Sequence, residues 1–220
     1  MYVFSKVNYP IVCSYAIADE YINNLGIRVR VIQNGVNTNY FNPKIFKNIV
    51  DRDSTFIVSG SLIPRKNVKY LIEVFKKFPN FKLLIVGGGL EKNHLVKFAE
   101  GYSNIVFLGQ VNDVRYFLNK SKFIISSSFS EGLPNSILEG MSWDLIPVLS
   151  KIKPHLEVTK GLKNKFLFDP LDFNSLSEQL KIIEKSNHLE SQSREFIINH
   201  FSMEIMSSKY QEIYESVKNA

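Results

Sequence analysis

From residue 55 onward the chain alternates short, largely apolar runs with stretches whose apolar residues recur at helical spacing. The runs are TFIVS at residues 55–59, FKLLIV at 81–86, IVFL at 105–108, FIISS at 123–127 and IPVL at 146–149. Runs this uniformly apolar suit parallel strands covered on both faces rather than half-exposed ones. The spacing between them predicts helices over residues 70–78, about 91–100, near 114–119 and immediately after Pro134. Such alternation predicts an α/β class, a doubly wound parallel sheet that places its binding loops at the carboxyl ends of the strands.

The flanks read differently. Residues 1–25 contain no convincing strand, and 12–25 predict a helix ended by Gly26. Residues 29–33 are strand-like, and Asn34-Gly35-Val36-Asn37 makes a turn ahead of Phe41-Asn42-Pro43. Beyond residue 149, FLFDP at 166–170 predicts a last short strand. Ser175-Leu176-Ser177-Glu178 reads as a capping box, and 200–217 as a packing helix.

Composition narrows the class. The 220 residues can bury one sizeable core, and no run of eighteen apolar residues suggests a membrane span. The formal charge of +6 is spread along the chain, which suits anionic substrates or an anionic membrane face better than nucleic acid. Cys13 is the only cysteine and no secretory leader opens the chain, so a reducing, cytoplasmic setting is expected, peripheral to the inner membrane face if attached at all. His94, His155, His188 and His200 lack ligand spacing, and Asp51-Arg52-Asp53 precedes a strand instead of ending one. The triplet reads as a surface turn, and no metal is expected.

The stretch with most chemistry is SEGLPNSILEGMSWDLIPV, residues 130–148, where Glu131 and Glu139 are separated by seven residues. With Pro134 as the first helical residue, the N–H groups of Asn135, Ser136 and Ile137 would be free to hold an anion at the positive end of the helix. The two carboxylates would straddle that helix end, positioned to accept hydrogen bonds from sugar hydroxyls. A nucleotide sugar satisfies both demands.

These residues, with Gly132, Pro134, Met141 and the Ile146-Pro147-Val148 strand start, resemble family 4 (group 1) glycosyltransferases of the GT-B fold. The resemblance runs from about residue 12 to the end. It implies the Rossmann-like C-terminal, donor-binding half, with residues 1–28 as a helix and linker from the N-terminal side, 29–200 as the nucleotide-sugar domain and 201–220 as a crossover helix. It further implies a retaining hexosyl transfer to a glycan or lipid-linked acceptor. Glu139 would hold the ribose, and Glu131 with Gly132 and Leu133 the sugar. Lys66 and the Asn135 and Ser136 amides would hold the diphosphate.

Three further loops fall at strand ends. In Gly60-Ser61-Leu62-Ile63-Pro64-Arg65-Lys66 the family's first cation is replaced by Ser61, and Arg65 could stand in, although adjacent helical side chains diverge. Gly87-Gly88-Gly89 permits close backbone approach to a ligand or simply a tight turn. Val111, in the third loop, would face the base. Asp144 stands where the family has glycine, in a left-handed turn, and Trp143 is expected in the core. The open alternatives are a catalytically inactive nucleotide-sugar binder, and a subunit completed by a separately encoded N-terminal domain docking on the last helix or on residues 9–15. An epimerase shares the architecture but has no feature in its favour.

Overall fold

The structure is a computed structural model that describes residues 9–46, 54–186 and 188–218. The Asp51-Arg52-Asp53 triplet lies outside them. Six parallel strands form the main sheet: β3 (Thr55–Ser59), β4 (Lys82–Val86), β5 (Ile105–Gly109), β6 (Phe123–Ser126), β7 (Ile146–Ser150) and β8 (Phe166–Phe168). Their order is β5-β4-β3-β6-β7-β8. The chain builds outward from β3 in one direction, then restarts at β6 in the other. A crevice therefore opens off the carboxyl ends of β3 and β6, where the following loops part to opposite faces.

Each face has its own apolar layer. On one, α2 (Val68–Phe75) buries six of its eight side chains beneath α3 (Lys92–Phe98), and Phe56 stacks on Phe123 with ring centroids 4.4 Å apart. On the other, α5 (Asn135–Ser142) lies against β6, so close that a methyl at Gly140 would come within 2.8 Å of Ile124 Cγ1. The short α4 (Arg115–Leu118) and α6 (Lys153–Val158) follow β5 and β7, and α7 (Ser175–Lys185), α8 (Ser193–His200) and α9 (Met203–Lys218) close the chain. No described helix is long and apolar enough to cross a membrane.

Four readings of the flanks are corrected. Ile11–Val12 is a strand, β1, paired in parallel with β2 (Arg30–Val31), so the first helix is α1 (Tyr15–Leu25), with Ser14 Oγ capping the Ile17 N–H. Gly26 ends α1 in the left-handed region as expected. The Ser175 capping box does not form: Asn174 is the cap position, and Ser175 Oγ accepts the Asp169 N–H instead. α6 and α8, absent from the expected list, are short helices wedged between longer elements. The expected C-terminal helix is α9, beginning three residues later than residue 200.

The N-terminal segment is fastened by polar contacts. Glu157 on α6 accepts the Tyr15 and Ala16 N–H groups at 3.1 and 3.2 Å and Gln33 Nε2 at 2.6 Å, a second cap on α1. Arg194 on α8 donates to the carbonyls of Thr38, Phe41 and Ser142 at 3.0, 2.7 and 2.6 Å, while its own N–H reaches Asp144 Oδ1. Asp144 occupies the left-handed turn at φ 65. Arg194→Ala leaves the Thr38 and Ser142 carbonyls short of a donor, while Phe41 O keeps Ser142 Oγ, and should cost about 2–3 kcal/mol, readable as a lowered urea midpoint.

Candidate active site

The first and second loops are stitched together by backbone. Gly60 N–H donates to Val86 O, Leu62 N–H to Gly88 O and Glu91 N–H to Leu62 O. Gly87 and Gly89 both have positive φ, and the neighbour that demands glycine is the first loop, whose Gly60 and Leu62 carbonyls would lie 1.9 and 2.5 Å from added methyls. The triplet is thus a loop-to-loop contact. Gln110, beside Val111, packs against Gly88 from the third loop, and Val111 is half-buried on the α5 face.

The first loop continues into a 3-10 turn, Pro64–Lys66, ended by Asn67 in the left-handed region. Lys66 Nζ lies 2.6 Å from Glu131 Oε1 and Arg65 Nη1 lies 2.9 Å from Oε2. The two side chains converge, contrary to the expected divergence of neighbours on a helix, because both are long and flexible enough to bend round to the same carboxylate, one on each oxygen. Arg65 also donates to Ser130 O, and the Phe129 N–H returns a bond to Arg65 O. Glu131 is no solvated loop residue, since its side chain is 7% exposed. Burial pushes its carboxyl up, but donation from Lys66, Ser128 and Arg65 outweighs this and holds it below the ordinary glutamate range. A depressed carboxyl stabilises the fold above its unfolded value and loses that contribution as pH falls through the folded one. Acid unfolding of Glu131→Gln should therefore be flatter with pH than that of the parent chain.

Pro134 is the residue before α5 rather than its first, and this changes the amide count. Asn135 N–H is taken by Leu133 O and Ile137 N–H by Pro134 O. Among the described residues, the N–H groups of Gly132, Leu133 and Ser136 have no acceptor, so the anion-binding edge shifts towards the loop. Ser136 lines a narrow slot with Gly60, Ser61, Lys66 and Ser128. On the other side Asn135 and Glu139 line a cavity of about 220 Å³ with Gly35, Asn37, Phe41 and Met203. The N-terminus of α5 thus stands between the two carboxylates. Glu139 has no cation or donor among the described residues, and burial pushes its carboxyl up. Gly132 meets the N-terminal segment, where a methyl would sit 3.3 Å from Ile17 Cδ1 and 3.7 Å from Cys13 Sγ.

Several contributors escaped sequence reasoning. Ser128 donates to Glu131 Oε1, and Ser127 to the Lys66 and Asn67 carbonyls. The available signal was three consecutive serines ending an apolar strand just ahead of Glu131. Among the described residues no three His, Cys, Asp or Glu side chains gather as a metal site would require. Trp143 is fully buried, its ring edge-on to Phe46.

Residues 42–200 match the family model described as "Glycosyl transferases group 1". The chain belongs to the group 1 glycosyl transferases. This group 1 chain is 28% identical over 209 residues to the UDP-Gal:alpha-D-GlcNAc-diphosphoundecaprenol alpha-1,3-galactosyltransferase of Escherichia coli, covering 86% of this chain and 54% of that enzyme. It spans about half the length of the curated relatives it matches. In fold it is similar to a glycosyltransferase from Rickettsia africae, with TM-score 0.86 and 20% identity over 96% of this chain and 64% of that one. It is also similar to Anabaena HepE solved with UDP and glucose, with TM-score 0.83 and 19% identity over the same shares. The architecture is that of the GT-B glycosyltransferases.

Proposed function

We propose that this chain is the donor-binding unit of a retaining glycosyltransferase, transferring a hexosyl group from a nucleoside-diphosphate sugar to a glycan or lipid-linked acceptor. The observation that carries the reading is the convergence of Lys66, Arg65 and Glu131 where the strand order reverses, beside unsatisfied amides. In this reading Lys66 and Arg65 turn from Glu131 to the diphosphate, helped by the Gly132 and Ser136 amides and the Gly60-Ser61 edge. Gly87 and Gly88 form the floor, Glu139 takes the ribose hydroxyls, and Val111 offers backbone bonds to the base. Glu131 and Leu133 face the sugar. The bond from the anomeric carbon to the diphosphate oxygen breaks with its electron pair going to that oxygen, the acceptor oxygen bonds to the carbon, and the acceptor proton passes to the leaving diphosphate. Two cations and oriented amides stabilise the leaving charge without a metal ion.

The E. coli relative's lipid-diphosphate acceptor and HepE's UDP support a UDP-sugar and a lipid-linked acceptor. Calorimetric titration with UDP, UDP-glucose, UDP-N-acetylglucosamine and GDP-mannose tests the reading. Saturable binding of at least one is expected, and a folded chain that binds none of the four would overturn it.

A further inference from the structure

This inference rests on the donor-site reading and concerns what holds Glu131 once the donor is in place. Among the described residues its carboxylate has three partners: Lys66 Nζ and Ser128 Oγ on Oε1, at 2.6 and 2.7 Å, and Arg65 Nη1 on Oε2 at 2.9 Å. Two of the three are the cations that a diphosphate would claim. The third is neutral, fully buried and fixed to the end of β6.

Ser128 is anchored from behind. A carboxylate can only accept, so the Ser128 hydroxyl proton goes to Glu131, and Ser126 Oγ, 3.1 Å away, is the donor to Ser128. The Ser128 carbonyl accepts Ser150 Oγ at 2.7 Å. The Ser150 carbonyl in turn takes His155 Nδ1–H at 2.9 Å, a tautomer fixed because a carbonyl cannot donate. His155 is fully buried, its Nε2 without a partner among the described residues, and burial pushes its imidazole down to about 4. The relay from α6 to Glu131 therefore stays uncharged at neutral pH. Ser127, pointing to the opposite side of the strand, donates to the Lys66 and Asn67 carbonyls at 3.0 and 2.8 Å.

We propose that Ser128 is a positioning residue for Glu131, its buried hydroxyl fixing the carboxylate after Lys66 and Arg65 have turned to the donor, while Ser127 holds the backbone beneath Lys66. Consecutive serines thereby set both ends of the pair independently. The carboxylate keeps one directed bond and an open lone-pair face for a sugar hydroxyl.

The test is an NMR titration of the Glu131 side-chain carboxyl in the full chain, labelled with 13C-glutamate and assigned through Glu131→Gln, with and without saturating UDP. Ser128→Ala is expected to raise the midpoint of Glu131, more so with UDP present, and Ser128→Thr, which keeps the hydroxyl, to restore it. In parallel calorimetry Ser128→Ala should weaken UDP-glucose about five- to tenfold more than it weakens UDP. A folded Ser128→Ala with the parent midpoint in both states, or equal weakening of UDP and UDP-glucose, overturns the proposal in favour of a packing role. Parent protein that binds neither nucleotide overturns the donor-site reading instead, and the nucleotide-free titration still reads the serine's hold on Glu131. If Ser128→Ala does not fold, Ser128→Cys, nearly isosteric but a much weaker donor, carries the same expectations.

Discussion

Gly87→Ala is expected to destabilise the chain by about 3 kcal/mol or more and to pull the first two loops apart. The added methyl would lie 1.9 Å from the Gly60 carbonyl oxygen, at a φ of +136 that L side chains rarely adopt. Neither obstacle can yield locally. Gly60 is hydrogen-bonded to Val86 O at 3.0 Å, and the Gly87 N–H is committed to Gly109 O at 2.7 Å. Relief must come from moving the loop that carries Lys66, so the loss of stability should be accompanied by loss of nucleotide binding. Gly88→Ala is the control. Its methyl would meet only the Gln110 side chain, at 3.3 Å and beyond, which can swing aside. Its expected cost is below about 1 kcal/mol. Urea unfolding of the two variants separates a backbone clash from a side-chain contact at adjacent positions.

Glu139→Gln should part stability from function in the opposite sense. The parent carboxylate is half-buried without a partner among the described residues, and burial raises its pKa. The folded chain therefore takes up this proton at a higher pH than the unfolded chain does. The fold gains stability as pH falls through the raised value, and the gain is complete below the unfolded one. Glutamine carries no charge, so the variant should be as stable as the parent or more so at neutral pH and should lack that acid-side gain. If Glu139 holds the ribose, the same variant loses a hydrogen bond to a charged group, about 1.5–3 kcal/mol or roughly 10- to 150-fold in affinity. Thermal melts across pH together with UDP calorimetry read both effects. A variant that melts as predicted yet binds UDP as tightly as the parent would exclude Glu139 from the donor contacts.

The strands were legible because each is a solid apolar run, and burial on both faces leaves such a run few other conformations. β3 was read to the residue, and the place of the site followed from the loops that leave the sheet. Short-range geometry was harder to read. The two-residue β1 is too brief to show a period, and it exists because β2 pairs with it from nineteen residues downstream. Pro134 fits the first helical position on propensity, but its ψ of 82 places it outside α5 and moves the free amides towards Gly132. Backbone directions alone part Arg65 from Lys66, but Glu131 offers one oxygen to each, and two long side chains bend to reach it. Arg194 and Glu157 left no local signal, because their acceptors and donors lie more than fifty residues away in sequence.

Trp143 is the sole tryptophan and lies wholly within the apolar layer on the α5 face, against Phe46. Its fluorescence is therefore a built-in reporter of one layer only. Emission should be blue-shifted in the native state and move to longer wavelength when α5 leaves the sheet, while loosening of the α2 layer stays dark to this probe. Comparing the tryptophan transition with far-ultraviolet circular dichroism would show whether the two faces of the sheet melt together or in turn.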